Sequence, residues 1–175
     1  MSIREIIKHP NDILRRKAQP VKTIDADIRQ LLDDMVETMR AAPGVGLAGP
    51  QVDVPLRVIV VEYGEEPDED GNGNPPPKQL FTLANPEITR SSTETETATE
   101  GCLSIPGLVG DVERSSSVTV KALNKRGQPV KIKATGWLAR IFQHEVDHLN
   151  GVLFIDRAEN IQAIREEDAE ETPRA

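Results

Sequence analysis

The sequence predicts an α+β fold, with mixed or antiparallel β-sheets around a central C-terminal helix and one long helix near the N-terminus. Three observations predict it. Ile28, Leu31, Leu32, Met35, Val36 and Met39 recur at helical spacing. From Trp137 to Leu149 there is no Pro or Gly, and Leu138, Ile141, His144, Glu145, His148 and Leu149 fall on one side at about 100° per residue. Between these stretches lie short β-branched runs broken by Gly, Pro and Asn, without regular strand–helix alternation.

The N-terminal part, 1–24, holds Pro10, Pro20 and a basic cluster at Arg15, Arg16 and Lys17, read as a solvated face. Ile3, Ile6 and Ile7 suggest a short turn laid on the core. In the first helix Asp25 is placed to cap the start and Pro43-Gly44 to end it, with the two methionines as core filler. Gly44-Val45-Gly46-Leu47-Ala48-Gly49-Pro50-Gln51 follows as a loop whose backbone can approach something closely. It is a poor nucleotide loop, because a helix precedes it and Pro50 blocks one after it.

Arg57 to Tyr63 is a buried strand by its β-branched run. The acidic, Gly/Pro-rich residues 65–77 cannot build a core and are expected to form a surface insertion. Leu80 to Ala84 resumes a strand and Asn85-Pro86 turns. Thr93 to Glu100 alternates with period two and runs into Gly101-Cys102-Leu103-Ser104. Ser117–Leu123 and Pro129–Ala134 flank Asn124-Lys125-Arg126-Gly127, a hairpin signal. Thr135 is placed to cap the last helix and Gly151 to end it, with Arg140, Gln143, Asp147 and Asn150 opposite its apolar side. The acidic end, 165–175, is expected to fray.

At 175 residues the chain suits a single domain, 1–175. A net charge of −8 with no basic patch argues against DNA and against anionic membrane surfaces. No apolar run approaches a membrane span, and the N-terminus lacks the apolar core of a secretory signal, so the cytoplasm is expected. One cysteine, Cys102, excludes an internal disulfide. A lone Cys is either a small buried hydrophobe or, in a reducing compartment, a ligand or nucleophile.

Gln143-His144-Glu145-Val146-Asp147-His148 carries the chemistry. Two histidines four residues apart stack on one helix face and can grip one metal ion. The intervening glutamate fits H-E-x-x-H, in which the acid stays off the metal and works as a base. All three lie in the apolar stripe, where an unpaired carboxylate is costly. A bare H-E-x-x-H also arises by chance, so a third ligand must come from elsewhere.

Together, in this order and spacing, Gly44 to Gln51, Glu100-Gly101-Cys102-Leu103-Ser104 and Gln143 to His148 resemble the three signature motifs of the peptide deformylase family. His9-Pro10, Leu14-Arg15 and Ala18-Gln19-Pro20-Val21 resemble its N-terminal region, so the likeness covers roughly residues 3–160. It departs at Gly49, where the family motif has alanine and the lost methyl is expected to loosen the loop. The resemblance implies a metal-dependent hydrolase that removes the N-formyl group from the formyl-Met N-termini of nascent polypeptides, releasing formate. It implies Cys102, His144 and His148 as ligands of one Fe²⁺, for which Zn²⁺, Ni²⁺ or Co²⁺ can substitute. Glu145 would be the general base, with the Leu103 backbone N–H and the Gln51 amide as donors to charge on the formyl oxygen. Gly46 would hydrogen-bond Gln51 or Cys102 through its main chain. Gly44, Val45, Gly46 and Gly101 would line the substrate, which pairs as an added strand, and Val45 and Ile141 would wall the methionine pocket. A transient ribosome contact is implied too, although the acidic tail suits RNA poorly.

Two other readings stay open. An endopeptidase needs a downstream third ligand, for which only Asp156 and Glu159 are candidates. A closed structural site needs a fourth protein ligand, and His9 is the only other histidine.

Overall fold

The computed structural model describes residues 2–64, 77–165 and 173–175. Two helices and two antiparallel sheets form the expected α+β fold. Helix α1, Ala26–Ala41, starts where the Asp25 side chain accepts from the Ile28 N–H at 2.9 Å. It buries the expected stripe, including Leu32, Met35 and Met39 with no exposed surface. Truncating any of these three to Ala would cost about 2–5 kcal/mol.

The larger sheet has the order β1-β2-β3-β6-β7, from strands Gly46–Ala48, Val58–Tyr63, Gln79–Ser91, Ser117–Asn124 and Pro129–Thr135. Val58 and Val60 of β2 face α1, while Ile59 and Val61 face helix α2, Gly136–Leu149. A strand covered by a helix on each face must be apolar at every position, hence its β-branched run. The smaller sheet has the order β4-β5-β8, from Thr95–Cys102, Ile105–Ser115 and Glu159–Ala163. Helix α2 touches strands of both sheets, so its side chains reach the space between them.

Several local expectations are corrected. Strand β3 does not end at Asn85-Pro86 but runs through it. Asn85 takes a left-handed φ of 52° at a register shift, and its amide holds both Val21 N (2.7 Å) and Val21 O (2.9 Å). The tie to Val21 lets the ladder absorb the bend instead of breaking there. Residues 3–7 form no turn: Ile7 N donates to Gln51 O (2.7 Å) and His9 N to Ser104 O (2.8 Å), leaving Ile3 exposed. Arg140 is buried, against its expected place on the open side of α2, because the smaller sheet covers that side. Thr135 makes no side-chain cap; Gly151, with φ of 75°, follows the C-cap residue Asn150. The sequence reading has no strand at Ile105–Ser115, where Pro106, Gly107 and Gly110 interrupt the pattern.

The expected insertion falls almost wholly on 65–76, outside the described residues, as does 166–172 of the tail. Pro173–Ala175 are described and do not fray: Ala175 is 4% exposed. Gly49 is tightly held, since a Cβ there would sit 2.6 Å from Leu56 O and 2.8 Å from Val54 O.

Candidate metal centre

Helix α2 delivers His144 and His148 on successive turns, and the end of β4 delivers Cys102. His144 Nε2 lies 3.1 Å from His148 Nε2, and Cys102 Sγ lies 3.5 Å from His148 Nε2. The three ligand atoms lie within 4.8 Å of one another, and all three residues are buried. One soft thiolate and two imidazoles suit a transition-metal dication. Burial pushes the Cys102 thiol up to about 12, and the nearby carboxyls of Glu145 and Glu100 add to this. A thiolate at neutral pH therefore needs a cation beside it. Burial, with His144 alongside, holds His148 well below the usual histidine range, so it is neutral and free to ligate.

Glu100, quoted in the second motif but given no role there, orients the first histidine. His144 Nδ1–H donates to Glu100 Oε1 at 2.9 Å, which leaves Nε2 with its lone pair toward the other ligands. Arg114 binds both Glu100 oxygens at 2.9 Å, and Arg140 binds Oε2 at 2.7 Å. Arg114 also reaches Asp147 (2.7 Å), which Arg157 binds from the surface side. Burial alone would raise the Glu100 pKa, but the bonds from His144 and Arg114 outweigh it and keep the carboxyl well below its usual range. Periodicity marked the strand but did not single out Glu100, since Glu94 and Glu96 on the same alternation are exposed. Arg114 and Arg140 carry no local signal.

Glu145 is fully buried, and both its carboxylate oxygens lack a protein partner among the described residues. Burial, and then the charge of Glu100, pushes its pKa well above the carboxylate range. Such a group is orphaned unless water or a ligand reaches it. Gly46 makes room for it, since a Cβ there would meet Glu145 Oε1 at 2.8 Å. Gln51 has no exposed surface; its Oε1 accepts from Ala48 N at 2.9 Å. Its Nε2 points toward Ser104 Oγ (3.1 Å) and Cys102 Sγ (3.7 Å), so the amide is locked with its N–H groups toward the cluster.

Beside the cluster runs a groove between β1 and β4. Val45, Gly101, Ile141, Trp137, Arg140 and His144 line a cavity there. Gly44 lies over Leu103, with no room for a Cβ (2.6 Å to Cδ1). Pro173–Ala175 lie in this groove: Val45 N donates to Arg174 O (2.8 Å), Leu103 N to Ala175 O (3.0 Å), and Arg174 bridges to Gly101 in parallel. Asp156, bonded to Arg15 and Leu153 N, and the exposed Glu159 stand outside the ligand group, and His9 is exposed. Neither alternative reading thus gains its extra ligand among the described residues.

Residues 3–163 match the family described as polypeptide deformylase. The peptide deformylase of Symbiobacterium thermophilum is 53% identical over 171 residues, covering 98% of this chain and 74% of that one. That of Pelotomaculum thermopropionicum is 48% identical over 164 residues, covering 94% and 97%. Among solved structures, the peptide deformylase of Thermotoga maritima superposes with a TM-score of 0.79 at 40% identity, covering 91% of this chain and 99% of that one. That of Ehrlichia chaffeensis gives 0.84 at 39% identity, covering 91% and 89%. Sequence, fold and the buried Cys-His-His group agree: the chain belongs to the polypeptide deformylase family, whose reaction is the metal-dependent removal of the N-formyl group from nascent protein chains.

Proposed function

We propose that Cys102, His144 and His148 hold one Fe²⁺, and that Glu145 is the general base of deformylation at formyl-Met N-termini. The observation that carries this is the partnerless, fully buried Glu145 carboxylate on the same helix face as two of the three converging ligands. Zn²⁺, Ni²⁺ and Co²⁺ suit the same donors. When bound, the cation supplies Lewis acidity to water and to the formyl oxygen.

Glu145 takes the proton from the attacking water. Its raised pKa brings it closer to neutrality, where a base both accepts and returns a proton efficiently. It then delivers that proton to the departing nitrogen, without which the C–N bond breaks poorly. The Leu103 N–H and Gln51 Nε2 stabilise charge on the formyl oxygen; Gln51 can do so without reorganising, because its Oε1 is already tied to Ala48 N. Val45 and Gly101 pair with the substrate backbone as an added strand, and Ile141 and Val45 wall the side-chain pocket. Gly44 and Gly46 keep the groove and the base free of Cβ atoms. Work on nascent chains fits a cytoplasmic protein with a transient ribosome contact. Among the described residues no helix is long and apolar enough to cross a membrane.

Purified protein incubated with formyl-Met-peptide should release formate, and should leave an unformylated peptide intact. Internal cleavage without formate would sink the assignment.

A further inference from the structure

Residues Pro173–Ala175 occupy what a substrate needs. Arg174 O takes the Val45 N–H (2.8 Å) and Ala175 O takes the Leu103 N–H (3.0 Å). Arg174 also forms a single parallel bridge to Gly101, so the segment touches both walls of the groove. Ala175 is 4% exposed. With Pro173 and Ala175 among its walls, the cavity also lined by Val45, Trp137 and Ile141 keeps only about 10 Å³. The close approach is built into the opposite wall: a Cβ on Gly44 would come 3.0 Å from Arg174 O, and one on Gly101 3.2 Å from Arg174 Cγ.

We propose that this segment is a built-in competitor, docked in the substrate groove and displaced by formyl-peptides. The competition rests on the deformylase reading; the docking does not. A formyl-peptide must bring its N-terminal end to the Cys-His-His cluster, because the formyl group is there. The segment instead presents its C-terminal-most residue, Ala175, at Leu103. It runs the opposite way and carries no formyl group, so it fills the groove and cannot react.

The test uses the full chain with Ala175→Glu, whose longer, charged side chain exceeds the remaining space. Arg140, the cation beside this cavity, already gives three hydrogen bonds, to Glu100, Val112 O and Glu96 O. Two backbone hydrogen bonds are at stake, so KM for formyl-Met-peptide should fall roughly tenfold with kcat unchanged. The chain's single tryptophan, Trp137, lines the cavity, and its emission should shift to the red as water enters. A synthetic peptide with the sequence of residues 170–175, added to the variant, should inhibit competitively and reverse the emission shift. Unchanged KM and unchanged emission would overturn the proposal. An emission shift without a change in KM overturns the competition and leaves docking alone. An emission shift in a protein that releases no formate supports the docking while removing the deformylase reading.

Discussion

Gly46 and Glu145 face each other so closely that a Cβ on the glycine would sit 2.8 Å from Glu145 Oε1 and 3.0 Å from its Cδ. The third residue of the first motif loop and the acid of H-E-x-x-H are thus one packing unit, built by β1 meeting α2. The glycine leaves the carboxylate space, and burial leaves it without a protein partner among the described residues. Glu145→Gln keeps the shape and cannot accept a proton. Folding and metal content should survive while kcat falls by about 10²–10⁴; loss of metal or of fold instead would assign Glu145 a structural role.

Cys102→Ser should remove the metal. Serine offers no anionic ligand at neutral pH, whereas the buried thiol ionises once a cation sits beside it. Elemental analysis of the purified variant should show far less than one ion per chain, and an undiminished content would exclude Cys102 as a ligand.

Gln51→Ala should lower kcat by about 10²–10³, as removal of one oxyanion donor does, and should move KM less. It also frees the buried Ala48 N–H that Oε1 now satisfies, which should cost about 1–3 kcal/mol in urea denaturation. An unaffected kcat with reduced stability would leave Gln51 a packing residue.

Gly49→Ala should destabilise the fold, although alanine stands here in the family motif. A Cβ would press on Leu56 O and Val54 O, both backbone atoms that cannot swing away. Overpacking of this kind costs about 1–3 kcal/mol. A thermal midpoint equal to that of the wild type would show that the loop relaxes freely.

Asp34 ties the N-terminus to α1. Its carboxylate accepts from Gln30 Nε2 (2.7 Å), Ser2 N (2.8 Å) and Arg4 Nε (3.1 Å). Burial alone would raise its pKa, but these bonds outweigh it and hold the carboxyl below the usual aspartate value. A depressed carboxyl stabilises the fold above its unfolded pKa of about 3.9, and that contribution is lost as pH falls through the folded value. Wild type should therefore lose more stability than Asp34→Asn as pH drops from about 5 to about 3. Parallel urea midpoints for the two proteins across that range would refute the link.

The sequence by itself determined what short-range spacing controls. The stripe from Ile28 to Met39 gives α1, the run from Val58 to Val61 gives a strand covered on both faces, and Asn124 to Gly127 turns the β6–β7 hairpin. Two histidines four apart share a helix face in any fold, so two of the three ligands were legible from periodicity. Cys102 entered through the motif around it, since spacing alone cannot bring a residue 42 positions upstream of His144 onto a helix. Tertiary structure decided the rest. Arg140 reads as a solvent residue until the smaller sheet covers it and Glu100 receives its charge. Asn85 reads as a turn until Val21 satisfies its amide and lets β3 continue. Pro173–Ala175 read as a frayed end until the N–H groups of Val45 and Leu103, exposed by the gap between two sheets, bind their carbonyls. In each case the deciding partner is remote in sequence, and a buried charge or an open backbone donor takes its meaning from that partner.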